Sequence, residues 1–116
     1  IDGNCTNLCG KTNLRTLAAV IKLSKLVLSP DSAAMHLASS LNIPVIGLFA
    51  IHNPKRVGAW NFKDLEVSVY EKMAKQELGD KEITWRYRVK NENAMKEITV
   101  ESVISMFDKA VTKYKI

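Results

Sequence analysis

The stretch SPDSAAMHLASSLNIPVIGLFAIHNP, residues 29–54, decides the fold class of this chain. It begins where one apolar run, KLVLS (25–29), ends, and it contains a second run, PVIGLF (44–49). Between the two runs, apolar residues recur at helical spacing, at Ala34, Leu37, Ala38 and Leu41. This spacing predicts an amphipathic helix, and Asn42 suits a left-handed helix end. Strand, helix and strand in this order predict a parallel βαβ unit whose strands are buried on both faces.

Further elements are predicted on both sides of this unit. Residues 1–12 contain glycines and small polar residues and predict a loop. A helix capped by Thr12 or Asn13 follows, because apolar residues again keep helical spacing, at Leu14, Leu17, Ala18 and Ile21. Residues 50–64 predict a loop, and the alternating stretch LEVSVY (65–70) predicts a third strand near a sheet edge.

The C-terminal half is harder to interpret until its last segment. EKMAKQELG (71–79) predicts a short helix that ends at Gly79, and ITWRYRVK (83–90) predicts either a strand or an irregular loop. Thr99 then predicts the N-cap of a final helix, with Ile98 and Val103 placed as a hydrophobic staple. This helix carries a continuous apolar stripe, at Val100, Val103, Ile104, Phe107, Val111 and Tyr114. We expect the stripe to pack on the sheet.

Composition indicates one globular domain. The chain has 116 residues, of which 47% are hydrophobic and 25% charged, a balance typical of soluble domains. No apolar run approaches the roughly 20 residues that span a bilayer, and no signal peptide is evident. The net charge of +5 favours anionic partners, which include phosphates, nucleotides, nucleic acid and acidic lipid. Because the sequence begins at Ile1 rather than Met, we expect a piece of a longer protein.

The two cysteines predict neither a disulfide framework nor a metal site. Cys5 and Cys9 form a single C-x3-C pair, whereas a structural zinc site needs four ligands. His36 and His52 lie far from this pair and in segments of different type. We therefore predict two free thiols in a reducing compartment and no metal.

A candidate anion site follows from the βαβ unit. Ligands of open parallel sheets bind beyond the carboxyl ends of the strands, and the loops after Ser29 and Phe49 lie at two such ends. Asp31, Ser32 and Ala33 stand at the start of the helix, where free N–H groups and the helix dipole attract phosphate. His36 lies one turn further on. The alternative is that Asp31 or Ser32 only caps the helix and that His36 is solvated.

Three motifs in residues 7–60 resemble those of the lipopolysaccharide heptosyltransferases, glycosyltransferase family 9. The pattern G-K-S/T-x-L is matched by Gly10, Lys11, Thr12 and Leu14. The pattern D-S/T-G-x-x-H-L-A is matched by Asp31, Ser32, His36, Leu37 and Ala38. The pattern P-x-I/V-x-L-F/Y-G-x-S/T-x-P is matched by Pro44, Leu48, Phe49 and Pro54. Ala33 and Ala50 stand where the family has glycine, and His52 stands where it has a hydroxyl residue.

The resemblance implies an α/β fold of the GT-B type, with two Rossmann-like domains and the active site in the cleft between them. Residues 1–116 would be part of the C-terminal nucleotide-sugar-binding domain, a parallel sheet flanked by helices, without the N-terminal acceptor domain. By the same resemblance Asp31, Ser32, Ala33 and His36 would face the diphosphate of an ADP-heptose-like donor. They would orient it and stabilise its charge as it leaves.

The resemblance also implies partners and a location. The general base would lie in the absent N-terminal domain, so this chain alone is not expected to transfer sugar. No metal or other cofactor is implied. The acceptor would be the lipopolysaccharide core, bound through the missing domain. The enzyme would work in the cytoplasm, at the inner face of the inner membrane, where a basic patch can contact anionic lipid.

Two other hypotheses stay open. A nucleotide-sugar 2-epimerase of GT-B type carries a comparable D-S-G turn, although it lacks the flanking sequence seen here. A nucleic-acid-binding module would use a basic and aromatic cluster, at Lys81, Trp85, Arg86, Tyr87, Arg88 and Lys90. Such a mixture can hold a single strand, but no nucleic acid is expected if the family resemblance is right.

Overall fold

The computed structural model describes residues 4–116, and its centre is a parallel sheet of three strands. The strands are β1 (Val27–Pro30), β2 (Val45–Phe49) and β3 (Glu66–Ser68), in the order β1-β2-β3. Both pairings are parallel. Their carboxyl ends therefore lie at one edge of the sheet.

Five α-helices connect and flank the strands in the described chain. They are α1 (Leu14–Leu23), α2 (Ala33–Ser40), α3 (Pro54–Val57), α4 (Tyr70–Leu78) and α5 (Val100–Tyr114). Two short 3₁₀ turns cover Lys63–Leu65 and Ala94–Glu97. The predicted α/β class is confirmed, as a three-stranded open parallel sheet with helices.

The predicted strand–helix–strand unit is confirmed as β1, α2 and β2. Asn42 has a φ of 59°, in the left-handed region, directly after the helix. Of the two candidate caps of α1, Asn13 is the one used, because its side chain accepts a hydrogen bond from the Thr16 amide. The predicted loop over 1–12 is confirmed from residue 4 onwards, and residues 1–3 lie outside the described range.

Burial of β1 was predicted wrongly. β2 is buried along almost its whole length, as expected, but the Leu28 side chain in β1 is 54% exposed. In register, Leu28 faces Ile46 of β2, which is buried. β1 pairs with a neighbour on one side only within the described chain. Strands at a sheet edge are covered less than central ones, and an apolar run alone does not reveal the difference.

The expectation that the apolar stripe of α5 packs on the sheet is confirmed in part, since α5 contacts β3 but leaves some of the stripe exposed. Val103, Met106 and Tyr114 pack against the main core, where Ala110 is fully buried. Val100, Ile104 and Phe107 are instead about half exposed or more. The apolar surface of α5 is wider than the area that the sheet can cover. The predicted cap is correct, because Thr99 accepts a hydrogen bond from the Ser102 amide.

The segments between β2 and α5 differ in part from the predictions. Residues 50–64 are not all loop, because Asn53 caps α3 and Pro54 begins it. β3 is shorter than the stretch 65–70, since Tyr70 already belongs to α4. The predicted helix ending at Gly79 is confirmed. Residues 80–93 form no helix or strand, so the irregular alternative for 83–90 is correct.

Candidate functional site

Two loops converge at the carboxyl edge of the sheet. Asp31 and Ser32 follow β1 directly, and the second loop, from Ala50 to Asn53, follows β2. An open cavity of about 220 Å³ lies where they meet. Its lining includes Pro30 at the end of β1, Asp31 from the first loop, and Ala50 and His52 from the second. The prediction that both loops face one crevice is therefore confirmed.

Ser32 occupies the N-cap position of α2 without capping it. Its backbone is extended, as at an N-cap, but its side chain accepts no hydrogen bond from the first turn. The Ser32 hydroxyl lies 2.8 Å from Ser29 Oγ, and Ser29 Oγ in turn donates to the Pro30 carbonyl oxygen. The hydroxyl is thus held within the turn. The first amides of α2 receive no acceptor from it, which is the condition for an anion at a helix start.

Asp31 stands between two imidazoles. Its Oδ1 lies 3.5 Å from His36 Nε2, and its Oδ2 lies 3.8 Å from His52 Nδ1. The Asp31 side chain is 27% exposed, whereas those of His36 and His52 are 52% and 38% exposed. The structure therefore joins the predicted residues Asp31 and His36 and adds His52 to them.

The two alanines at glycine positions of the family pattern need no unusual backbone. Among the described non-glycine residues, only Asn42 and Lys115 have positive φ. Ala33 is exposed at the start of α2, and Ala50 is buried beneath the second loop. Neither position requires the conformational freedom of glycine.

A larger cavity, of about 420 Å³, lies next to Asn53 of the second loop. Its lining includes Asn53, Glu66, Tyr70 and Trp85, and none of the predicted site residues. Burial raises the pKa of the Glu66 carboxyl, and the charge of Lys63 opposes this only in part. In the described chain, the carboxyls of Glu66 and Glu71 line this cavity together with a single cation, Lys55, so the lining has no surplus of positive charge for an anion.

The cysteines, a possible metal site and the basic and aromatic cluster were also considered in the sequence, and the structure describes their surroundings. Cys5 and Cys9 are free and exposed in the described chain. Between residues 4 and 116, no three His, Cys, Asp or Glu side chains are grouped so that they could hold a metal ion. In the basic and aromatic cluster, Tyr87 donates its hydroxyl proton to Glu77, while Trp85 is 56% exposed. The nucleic-acid hypothesis stays a prediction.

The fold and this edge define an α/β protein with a candidate anion site between two strand ends. Sequence comparison then gives the family. The profile of glycosyltransferase family 9 (heptosyltransferase) matches residues 1–88. The chain belongs to this family.

Individual relatives agree with the profile. The chain is 48% identical over 106 residues to the lipopolysaccharide core heptosyltransferase OpsX of Haemophilus influenzae, covering 90% of this chain and 30% of OpsX. It is 34% identical over 79 residues to lipooligosaccharide heptosyltransferase 2 of the same organism, covering 67% of this chain and 23% of that protein. Lipopolysaccharide heptosyltransferase 2 of Escherichia coli is 36% identical over 50 residues, or 43% of this chain and 14% of the relative.

The chain therefore spans less than a third of the length of the curated relatives it matches. No solved structure shows significant similarity to it. Among the helices formed by residues 4–116, none combines the length and the apolar character needed to cross a bilayer.

His52 is the candidate residue that sequence reasoning missed. It departs from the family pattern, which has a hydroxyl residue at this position, so pattern matching passed over it. The available signal was its place in the loop after the second strand of a parallel pair. Two such loops meet at one edge, and this brings His52 to Asp31 although the two are far apart in sequence.

Proposed function

We propose that this chain is the donor-binding portion of a heptosyltransferase of the lipopolysaccharide core. In this proposal it belongs to the C-terminal domain of a GT-B enzyme and binds an ADP-heptose-like nucleotide sugar through its diphosphate. Membership in glycosyltransferase family 9 supports transfer over epimerisation. The names of the relatives support a heptose donor and a lipopolysaccharide acceptor.

The turn from Asp31 to His36 carries the proposal. It lies at the carboxyl edge of two paired parallel strands, beside a cavity, and begins a helix whose N-cap side chain is turned away. A cavity of about 220 Å³ is smaller than the roughly 300 Å³ of a complete small-molecule site, so it suits a part of the donor. The diphosphate is the part that fits a helix start and imidazoles.

In the chemical step, the residues of this turn would interact with the diphosphate leaving group. An acceptor hydroxyl attacks the anomeric carbon of the donor sugar, and its proton passes to a base outside this chain. The bond from that carbon to the diphosphate oxygen breaks, and the nucleoside diphosphate leaves with the bonding electrons. The α2 amides and the imidazole beside Asp31 would stabilise the negative charge that develops on that oxygen.

The test is a titration of the isotope-labelled 116-residue chain with ADP and with ADP-glucose, followed by amide NMR spectra. We expect saturable shifts of the amides of residues 31–36, while the amides of residues 87–91 stay in place. Unmoved amides at 31–36 would refute the donor site in this chain.

A matched pair of variants sharpens the same test. Ala33→Asp puts a negative charge at the exposed start of α2, and Ser40→Asp puts the same charge at its exposed end. Both changes leave the core intact, and aspartate is well tolerated in a first helical turn. We expect Ala33→Asp to weaken ADP binding by about tenfold or more, through repulsion of the diphosphate. Ser40→Asp should bind like the unmodified chain.

A further inference from the structure

The two imidazoles beside Asp31 differ in the nitrogen that they leave available. His36 turns Nε2, its outer nitrogen, towards the Asp31 carboxylate. His52 turns Nδ1, its inner nitrogen, towards the same carboxylate. Its outer Nε2 is therefore not the nitrogen that faces Asp31.

The two histidines also differ in their position relative to the cavity. His52 and Asp31 both line it, together with the end of β2 and Met95. His36 is not among the described residues that line it, and its side chain is the more exposed of the two. A group bound in the cavity thus meets His52 before it meets His36.

We infer that His52 contacts the donor diphosphate through Nε2, with Asp31 as the residue that positions its ring. This inference rests on the proposed function. It makes His52 of the second loop, rather than His36 of α2, the histidine that contacts the diphosphate. It applies to this chain in particular, because the family pattern has a hydroxyl residue at this position.

The proposed contact requires a proton on His52 Nε2, because a diphosphate oxygen can only accept a hydrogen bond. With the Nδ1 proton directed at the Asp31 carboxylate, the ring donates from Nε2 only when both nitrogens carry protons. Binding then draws a proton from solvent whenever the ring is neutral, and a second anion beside the ring favours that uptake. Among the described residues that line the cavity, Asp31 is the only other titratable one, and His36 lies at its other carboxylate oxygen.

The experiment measures binding of ADP-glucose to the 116-residue chain by calorimetry at about pH 6 and about pH 8. Its diphosphate is esterified on both sides and keeps its charge across this range. A requirement for the protonated ring makes binding tighter at the lower pH, where more of the imidazole carries the second proton. His52→Gln should weaken binding at about pH 6 by about tenfold and remove the pH dependence.

His36→Gln is the comparison variant: it should lose less affinity than His52→Gln and should keep the pH dependence. In spectra of ¹⁵N-labelled histidine, the Nε2 signal of His52 should shift on binding. If His52→Gln binds like the unmodified chain, or if both variants lose the same, the inference is overturned while the donor site stands. If the unmodified chain fails to bind at either pH, the proposed function fails, and the inference falls with it.

Discussion

Glu66 is a single residue whose ionisation the fold opposes. Its Oε1 is buried and has no hydrogen-bond partner among residues 4–116. The backbone of Gly58 lies against it so closely that a Cβ there would stand 2.2 Å from Oε1. Burial raises the pKa of Glu66 above its usual value of 4.5, and Lys63 offsets the effect only in part. An ionised Glu66 at neutral pH is therefore unfavourable for the folded chain.

Replacement of Glu66 by glutamine should make stability less dependent on pH. Because the folded-state pKa is raised, the favourable contribution of protonated Glu66 is complete below about 4.5 and is lost as the pH rises through the folded value. We expect Glu66→Gln to gain urea resistance relative to the unmodified chain at about pH 7 and to gain less at about pH 4. Glu92→Gln, at an exposed position, is the control. An identical pH profile in Glu66→Gln and the unmodified chain would contradict the expectation.

At the scale of elements, α4 organises the irregular segment that follows it. Glu77 accepts hydrogen bonds from the amides of Lys90 and Asn91 and from the Tyr87 hydroxyl, at 2.7–3.0 Å for the shortest contact of each. The amide of Lys90 lowers the pKa of Glu77 most, followed by the Tyr87 hydroxyl. Hydrogen bonds to one helix side chain thus hold this segment, in place of the backbone hydrogen bonds that a neighbouring strand would provide.

Removal of the Glu77 carboxylate should loosen this segment. We expect Glu77→Ala to speed hydrogen exchange at the amides of Lys90 and Asn91 by about tenfold or more, since hydrogen bonds to a charged acceptor are lost. Glu71→Ala is the control, because Glu71 lies on the same helix and, within residues 4–116, its ion pair is with the exposed Lys75. Unchanged exchange at residues 90 and 91 would show that other contacts hold the segment.

At the scale of the whole molecule, Gly47 of β2 lies close to a side chain of α2 and to one of its own strand. A Cβ at this position would lie 2.7 Å from the Phe49 ring and 3.1 Å from Met35 Sδ. Both of these side chains are almost fully buried, so a shift of either one disturbs the core. The close approach of α2, and with it the position of the Asp31 turn, depends on the missing side chain.

Gly47→Ala should therefore destabilise the fold by about 1–3 kcal/mol through overpacking. Urea unfolding measures the change. In a Phe49→Leu background the ring is removed, so the same substitution should cost less. Equal costs in the two backgrounds would show that contact with Phe49 is not the cause.

Much of the fold could be predicted because its signals are local. The helical spacing from Leu14 to Ile21, the left-handed Asn42 and the Thr99 cap each depend on neighbours within a turn or two, and each is confirmed. The failures concern distant partners. The exposure of Leu28 depends on what lies beside β1, and the course of residues 80–93 depends on Glu77 of α4.

The candidate site divides in the same way. Asp31, Ser32, Ala33 and His36 were accessible from the sequence, because one turn between a strand and a helix holds all four. The meeting of Asp31 with His52, the backward bond of Ser32 to Ser29 and the choice of imidazole nitrogen required the folded chain. Spacing along the chain specifies what lies within a helical turn, whereas contact between two loops is settled by the pairing of β1 with β2.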